Sequence, residues 1–272
     1  MRYISCVLIT LALVSGSCSR PKGFTPRKIE SDYPADCALA PIPMPKELRP
    51  LFDHPFTFLG SGNHTYAFSS ADGQYVIKFF KQNRMRTQKL FLSKARKEER
   101  AKLRKRSLES YRIARDLLPK ETQLVYLHDT KSSHLNLQIS LIDQHGHTHK
   151  FQADDMEFLL QKRGILTFDH IQNLLKQGDD QRAVGAMVSL LDLVKSRAEK
   201  GIYDKDIQFF KNYGFVNGKP IEIDIGEFRM DPREANPEKI ARDRLGFASQ
   251  FFHWIDNNAP HLKAPFQEAL CG

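Results

Sequence analysis

The sequence predicts an α+β fold of two lobes, in which an antiparallel β-sheet with one long helix precedes a smaller, mainly helical part. Short β-rich runs separated by glycine begin at Phe56 and are typical of consecutive hairpins. A long helical stretch follows, and helical patterns return toward the C-terminus. With 272 residues, 41% of them apolar, the chain can bury one substantial core or two small ones.

The first 18 residues have the composition of an export signal. Arg2 precedes a largely apolar run from Ile4 to Val14, which is short for a membrane-spanning helix. The stretch "VSGSC", which ends at Cys18, is similar to a bacterial lipobox, in which the cysteine becomes the lipidated first residue of the mature protein. We therefore expect an exported, membrane-anchored protein lipidated at Cys18, with simple cleavage near Ser17 and secretion as the alternative.

Three segments are expected after the signal. Residues 19–50 hold seven of the fourteen prolines and little apolar periodicity, which favours an extended tether. Residues 51–144 are predicted to form the first lobe, and residues 145–272 the second.

The cysteines leave two alternatives open. If Cys6 is removed with the signal and Cys18 is lipidated, Cys37 and Cys271 remain. This pair either forms a bridge in an oxidising compartment or stays as two thiols, because sequence alone does not fix the distance between them.

The elements of the first lobe follow from β-rich runs and one long helical pattern. "FTFLG", "TYAFSS" and "QYVIKFF" favour three strands separated by glycine-containing turns. A helix is expected over much of Arg86–Leu118, ending before Pro119 because the residue preceding proline avoids helical backbone angles. Two further strands are predicted in "QLVYLHD" and "LNLQISLID".

The second lobe is expected to begin at the His145-Gly146 turn. Its first clear helix ends at Gly201, as is typical of a helix C-terminus, and has an apolar face formed by Val184, Met187, Val188, Leu191 and Val194. A strand–turn–strand unit is predicted around Asn217-Gly218. The last helix has an apolar face formed by Phe247, Phe251, Trp254 and Ile255.

The formal net charge of +9 is concentrated between Lys81 and Arg106, where twelve Lys or Arg residues accompany only Glu98 and Glu99. Such a run favours either an anionic partner or a solvated helix face. Phe91 is the only aromatic residue in the run, so stacking on nucleic-acid bases has little support. If the partner is anionic, membrane phosphates or acidic polymers are therefore expected before single-stranded nucleic acid.

Two features of the first lobe are suited to binding phosphate. The turn formed by Gly60, Ser61 and Gly62 allows backbone N–H groups to approach a ligand closely, and Lys78 on the following strand can supply a fixed cation. A plain hairpin and a solvated lysine with a buried stem are the structural alternatives.

Three oxygen-bearing side chains lie around the strand–turn–strand unit of the second lobe. Asp206 precedes it, Asn212 lies near its start, and Asp224 follows its second strand. Carboxylate and amide oxygens are the ligands that Mg²⁺ prefers. The alternative is that these residues form turns and helix caps.

Taken together and in order, these motifs resemble those of the protein-kinase-like superfamily from about Phe56 to Phe228. "LGSGNHTYAF" is similar to its Gly-rich loop and "YVIK" to its strand-borne lysine. "GIYDKD" resembles its catalytic loop, and "NGKPIEIDIG" the strand pair that leads to its D-F-G motif. The resemblance implies ATP and Mg²⁺ as cofactors, with Gly60, Ser61 and Gly62 near the nucleotide.

The resemblance also implies residue roles. Lys78 would hold the α/β-phosphates, Asp206 would serve the acceptor hydroxyl, and Asn212 and Asp224 would bind magnesium. The acidic partner of Lys78 is expected at Glu109, whose place in the helix suits the connection to the next strand. Glu98 and Glu99 remain as alternatives for that role.

The chain departs from the family pattern at several points. Asp204 stands where the catalytic loop usually has His, Ile225 replaces the Phe of D-F-G, Thr65 replaces the third loop glycine, and no A-P-E motif follows. Forty-eight residues follow Asp224. With this short final part the chain resembles the compact small-molecule and sugar kinases, such as lipopolysaccharide-core kinases and aminoglycoside phosphotransferases.

The expected function is therefore an ATP- and Mg-dependent kinase that transfers phosphate to a hydroxyl group of a sugar, lipid or protein. The alternative is an exported pseudokinase that serves as a nucleotide-binding or interaction module. The exported N-terminus and the altered catalytic loop motivate this second possibility.

Overall fold

The computed structural model describes residues 23–36, 38, 40, 42–88 and 91–271. The stretch predicted to be an export signal, Cys18 and Cys37 lie outside these residues, so export, lipidation and the Cys37–Cys271 pairing stay predictions. Cys271 is exposed. Within the described ranges, no helix combines the length and apolar character needed to cross a membrane.

A seven-stranded sheet forms the first lobe. Its strands are β1 Phe56–Ser61, β2 Thr65–Ser69, β3 Tyr75–Phe80, β4 Leu124–His128, β5 Gln138–Ile142, β6 Thr148–Gln152 and β7 Phe158–Lys162. They are arranged in the order β4-β7-β3-β2-β1-β5-β6. Every neighbouring pair is antiparallel except β1 and β5, which run parallel. The predicted antiparallel sheet is thus present, with one parallel pair in it.

The first lobe extends beyond residue 144, where the sequence analysis placed its end. Both β6 and β7 follow that residue and pair within the same sheet, so the sheet ends at Lys162. The reason is that β7, "FLLQK", is buried along nearly its whole length. A short apolar run of this kind lacks the alternation of a half-buried strand and cannot be distinguished from a buried helix by periodicity.

Three helices lie between β3 and β4: α1 Gln82–Met85, α2 Lys94–Leu117 and α3 Pro119–Thr122. The long helix α2 begins after Ser93, whose side chain accepts a hydrogen bond from the backbone N–H of Arg96. It ends before Pro119, as predicted. It packs against the first lobe from about Leu103 onward, through residues that include Leu108, Tyr111 and Ala114, and the guanidinium of Arg104 pairs with the buried carboxylate of Glu157.

The described part of residues 19–50 packs on the first lobe instead of forming an extended tether. Short 3₁₀ helices occupy Pro26–Lys28 and Lys46–Asp53. Four apolar side chains of this N-terminal segment are buried in the core of the sheet, namely Phe24, Ile29, Met44 and Leu48. Their wide spacing among prolines gives no helical or strand period, which is why the sequence pattern does not reveal them.

The second lobe is mainly helical. Its elements are β8 Ile165–Leu166, α4 Thr167–Lys176, α5 Asp180–Glu199, β9 Ile202–Tyr203, α6 Phe209–Asn212, β10 Tyr213–Val216, β11 Lys219–Glu222, β12 Arg229–Met230, α7 Pro237–Asn258 and α8 Lys263–Cys271. Short 3₁₀ helices lie at Ala153–Asp155, before this lobe, and at Pro232–Ala235 and Pro260–Leu262 within it. Its core joins α4, α5, α7 and α8.

Two features predicted for the second lobe are present, the glycine that ends its long helix and the hairpin turn that follows. Gly201 ends α5 with a φ of +69°, a conformation that glycine adopts without steric cost. Asn217 and Gly218 both have positive φ and join β10 to β11 in a two-residue hairpin. This hairpin returns the chain toward the first lobe immediately before Asp224.

A third apolar cluster connects α2 and the sheet to the segment that follows β11. Phe80 of β3 stacks on Tyr111 of α2, with ring centroids 4.7 Å apart. Ile225 and Phe228, which follow Asp224, belong to the same cluster. The core therefore fixes the position of the Asp224 segment relative to both α2 and β3.

Candidate functional site

A cavity of about 380 Å³ lies between the Gly-rich turn and the strand–turn–strand unit. It brings together three of the residues predicted for chemistry, Asp206, Asn212 and Asp224. The other residues that line it are Asn63, His64, Asp204, Lys205, Gln208, Lys211 and Glu227. The sequence alone did not single out Lys211, His64 or Glu227 as part of this site.

Asp206 lies on the loop between β9 and α6 and is held by its neighbours. Its backbone N–H donates to Asp204 Oδ1 (3.1 Å). Its carboxylate accepts a hydrogen bond from Gln208 Nε2 and lies 3.4 Å from Lys211 Nζ. Although partial burial acts to raise it, the pKa of Asp206 is lowered by its interactions with Asn212, Gln208 and Lys211. The carboxylate is therefore ionised at neutral pH.

Asn212, the last residue of α6, organises the two strands around the cavity. Its backbone oxygen accepts hydrogen bonds from the N–H groups of Ile223 (2.7 Å) and Asp224 (3.3 Å). Its side-chain nitrogen donates to the backbone oxygen of Asp206 (2.6 Å). This arrangement leaves the side-chain oxygen of Asn212 for a cation.

The oxygen atoms at this cavity suit Mg²⁺ in the presence of a phosphate ligand. Among the described residues, no cluster of three or more His, Cys, Asp or Glu side chains is suited to holding a metal by itself. Mg²⁺, however, is commonly held by one or two protein oxygens together with substrate phosphates and water. Asn212 and Asp224 fit that arrangement because both line the same cavity.

Lys78 of β3 is buried, and its side chain reaches the segment that contains Asp224. Its ammonium donates to the side-chain oxygen of Gln161 on β7 (2.7 Å) and to the backbone oxygen of Ile223 (2.6 Å). Burial, partly offset by the negative charge of Asp224, lowers the pKa of Lys78 to about 8. The predicted strand lysine is therefore connected to the residue directly before Asp224.

Glu109 does not contact Lys78. The side chain of Glu109 is exposed on the solvent face of α2, whereas Ser110 and Tyr111 face the interior. Glu98 and Glu99 are also exposed, on the half of α2 that projects from the lobe. Among the described residues, Lys78 has no carboxylate within ion-pair distance. The predicted Lys78–Glu109 pair is thus corrected: the neutral amide of Gln161 takes the place of the carboxylate.

Ser110 connects α2 to the Asp224 segment. Its buried hydroxyl donates to the backbone oxygen of Ile225 (2.6 Å) and accepts from the backbone N–H of Phe228 (2.7 Å). Both partners are more than one hundred positions away in sequence. The sequence gives no signal for this contact, because Ser110 is one of several polar residues among the apolar ones of α2.

The Gly-rich turn has an open backbone. Ser61 pairs with Tyr66 across the hairpin, and the N–H of Gly62 donates to the backbone oxygen of Thr65 (3.1 Å). A Cβ atom added at Gly60 or at Gly62 would meet no atom within 4 Å. Packing therefore does not require glycine at these positions, whereas close approach of a ligand would.

Two cationic side chains and a His–Glu contact hold the tip of this turn. Lys81 Nζ donates to the backbone oxygen of Gly62, and Arg84 to that of Asn63 (2.8 Å). His64 Nε2 lies 2.9 Å from a carboxylate oxygen of Glu227. The turn is thereby connected directly to the segment that follows Asp224.

A buried ionic network holds the loop that contains Asp204 and Asp206 against α5. Arg197 of α5 lies 2.9 Å from Glu222 Oε2 and 3.3 Å from Asp204 Oδ2. All three side chains are almost completely buried. Asp204, which replaces the usual His, is thus an ion-pair partner of Arg197 while it also accepts from the N–H of Asp206.

No protein-family model and no curated protein matches this sequence. Among solved structures, the chain is similar to the bifunctional kinase-methyltransferase WbdD, with 16% identity and a TM-score of 0.39 over 73% of this chain and 38% of that one. The match to the ROP18 kinase domain, solved with AMP-PNP and sucrose, has 16% identity and a TM-score of 0.39 over 64% and 51%. WaaP, solved in complex with acyl carrier protein, matches with 10% identity and a TM-score of 0.36 over 83% and 91%.

The chain spans 34% to 38% of the length of the WbdD chains. The chain itself has a seven-stranded sheet with one long helix, followed by a reduced, mainly helical lobe.

Proposed function

We propose that the chain is an ATP- and Mg-dependent phosphotransferase that acts on a hydroxyl group. The observation that carries this proposal is the convergence of Asp206, Asn212 and Asp224 on one cavity, with Lys78 bound to the backbone beside Asp224. Phosphoryl transfer requires these groups: oxygen ligands for a hard cation, a carboxylate near the acceptor and a fixed cation for the phosphates.

Each group at the nucleotide has a separate task in this proposal. Asn212 and Asp224 would hold Mg²⁺, which supplies charge neutralisation between the phosphates when it is bound. Lys78 would contact the α/β-phosphates. The backbone of Gly60, Ser61 and Gly62 would lie over the phosphates, because the space around Gly60 and Gly62 is open and glycine carries no side chain that would hold a ligand away.

Asp206 would serve the acceptor. Its low pKa keeps the carboxylate ionised, so it can accept a hydrogen bond from the incoming hydroxyl and orient that group. Lys205 and Lys211 lie on the same cavity and give it a partly cationic wall. A sugar, lipid or protein hydroxyl would satisfy this geometry.

An exported pseudokinase is the second candidate function. The observation in its favour is that Lys78 is held by the neutral side chain of Gln161, whereas the kinase resemblance implies a carboxylate. A chain that binds nucleotide without turning it over would act as a nucleotide-dependent or protein interaction module.

The test is to measure ATP binding with and without Mg²⁺, together with ATP turnover, in the full chain and in two isosteric variants. Asp224→Asn should lose the Mg-dependent part of ATP binding, because a hard cation loses a charged ligand. Asp206→Asn should retain ATP affinity and lose turnover by roughly 100-fold or more. Asp53→Asn, at an exposed position outside the cavity, is the matched control.

Three outcomes distinguish the candidates. Turnover with the expected separation of the two variants supports the kinase. Mg-dependent binding without turnover supports the pseudokinase. If the wild-type chain shows no Mg-dependent nucleotide binding, the phosphotransferase is contradicted, and the pseudokinase remains only as an interaction module that acts without nucleotide.

A further inference from the structure

We propose that the basic half of α2, residues 94–106, binds the surface of a membrane that contains anionic lipids. This interaction is separate from the proposed phosphotransfer and does not depend on it. It concerns a surface on the side of the first lobe that carries the N-terminal segment.

The basic half of α2 is exposed at most of its positions, with Arg104 as a buried exception that pairs with Glu157, and its other charges are largely unpaired. Residues 94–99 are exposed on every side of the helix, which therefore projects from the lobe. Within the described ranges, six cationic side chains of this half form no ion pair: Lys94, Arg96, Lys97, Lys102, Lys105 and Arg106. Because Glu98 and Glu99 are the only acidic residues there, the projecting helix presents a net positive surface to solvent.

The N-terminal segment lies directly beside this surface. Arg100 of α2 donates to the backbone oxygen of Arg86 (2.9 Å). The guanidinium of Arg86 in turn donates to the backbone oxygens of Arg27 and of Glu30, the latter at 2.7 Å. The two elements are therefore connected through Arg86.

The predicted lipidation site would add a second membrane signal close in sequence to this N-terminal segment. Cys18 precedes Gly23 by five positions, and five extended residues span at most about 17 Å. One acyl signal combined with a polybasic surface is a recognised basis for stable membrane association.

The exposed side chain of Phe91 favours a bilayer over a polynucleotide as the partner. Phe91 lies just before α2 and is 97% exposed, so it is free to enter the boundary between headgroups and acyl chains. A surface that binds single-stranded nucleic acid would instead need several aromatic side chains among its cations. The basic half of α2 itself has none.

The experiment uses the full chain with Cys18→Ala, so that an acyl chain does not determine the result. Cosedimentation is measured with vesicles of phosphatidylcholine alone and of phosphatidylcholine mixed with phosphatidylglycerol, at low and high salt. We expect binding to the mixed vesicles only, and weaker binding at high salt. Reversing three charges by Lys94→Glu, Arg96→Glu and Lys97→Glu should weaken binding on the order of 100-fold.

A matched control reverses three exposed lysines elsewhere, by Lys120→Glu, Lys176→Glu and Lys219→Glu. It changes the net charge equally and should retain most of the vesicle binding. Equal loss in both triple variants would overturn the proposal, because net charge alone would then explain the binding. Equal binding to neutral vesicles, or binding to a single-stranded polynucleotide without binding to mixed vesicles, would also overturn it.

Discussion

The ammonium of Lys78 lies 2.7 Å from the side-chain oxygen of Gln161, and both side chains are buried. The amide nitrogen of Gln161 donates to the backbone oxygens of Thr122 (2.6 Å) and Glu222 (2.9 Å), so its orientation is fixed from the opposite side. The lysine is therefore positioned by a neutral group whose own hydrogen bonds are complete. Four predictions for the folded body follow from such buried contacts, and one more concerns the N-terminus.

Gln161→Met should weaken ATP binding by roughly 10-fold or more near neutral pH, because Lys78 loses a hydrogen bond to its charged group. Isothermal titration with Mg-ATP measures the effect. Glu109→Gln is the control and should bind ATP like the wild type, because Glu109 is exposed on the other face of α2. If Glu109→Gln loses affinity and Gln161→Met does not, the pair expected from sequence is restored.

Lys78 should make folding stability increase between about pH 8 and pH 10. The pKa of Lys78 is lowered by burial from 10.5 to about 8, so in this window the unfolded chain binds more protons than the folded one. The full contribution is on the order of 3 kcal/mol. Urea unfolding of the wild type and of Lys78→Met measures it, and only the wild type should show this increase.

ATP affinity should fall over the same pH range, since the phosphates then lose their cationic partner. A wild-type curve that parallels the Lys78→Met curve, in stability and in affinity, would contradict a lowered pKa for Lys78.

Ser110→Ala should destabilise the chain by about 1–3 kcal/mol, because two buried backbone groups lose their partner. It should also weaken Mg-dependent ATP binding, since Ile225 and Phe228 belong to the segment that holds Asp224. Ser107→Ala, one turn earlier and also buried, is the control for thermal and ligand titrations. Equal effects of the two substitutions would exclude a specific role for the Ser110 hydroxyl.

Arg197→Met should destabilise the chain by about 3–5 kcal/mol, because it leaves Asp204 and Glu222 as buried carboxylates without a cation. Chemical denaturation measures the loss. Lys195→Met on the same helix breaks only an exposed pair with Glu199 and should cost less than about 1 kcal/mol. A small loss in Arg197→Met would show that the buried network does not stabilise the second lobe.

Cys18→Ala should transfer the protein from the membrane fraction to the soluble fraction after a high-salt wash. The reason is that an acyl chain contributes about 0.8 kcal/mol for each buried CH₂ group, whereas the wash screens surface charge. Fractionation followed by intact-mass measurement tests both location and lipidation. A washed variant that remains membrane-bound and uncleaved would contradict the lipoprotein prediction.

The order of the motifs predicted that Asp206, Asn212 and Asp224 would lie close together, and all three line one cavity. They lie beside a tight hairpin, and Lys78 lies on the β-rich run of β3 and contacts the backbone before Asp224. Local constraints of this kind are readable from sequence. The predicted α+β class and the long helix follow from the same patterns.

The partners of these residues could not be predicted in the same way. Gln161 is 83 positions from Lys78 and lies on a strand without alternation. Choosing Glu109 required knowing which face of α2 is buried, and the many charged residues of that helix obscure its apolar stripe. A long-range hydrogen bond between two polar side chains leaves no periodic pattern in the sequence, so only the folded structure reveals it.

The burial of Phe24, Ile29, Met44 and Leu48 under the sheet also determines where the chain can be cut. Losing these four side chains would remove about 1.5–3 kcal/mol of stabilising free energy for each one. Their sum is comparable to the whole free energy of unfolding of a typical domain. Proteolysis near Leu51 would therefore unfold the first lobe instead of releasing it from its N-terminal segment. A shortened protein for biochemical experiments should therefore begin no later than Gly23. A protease that removed these residues would inactivate the protein irreversibly.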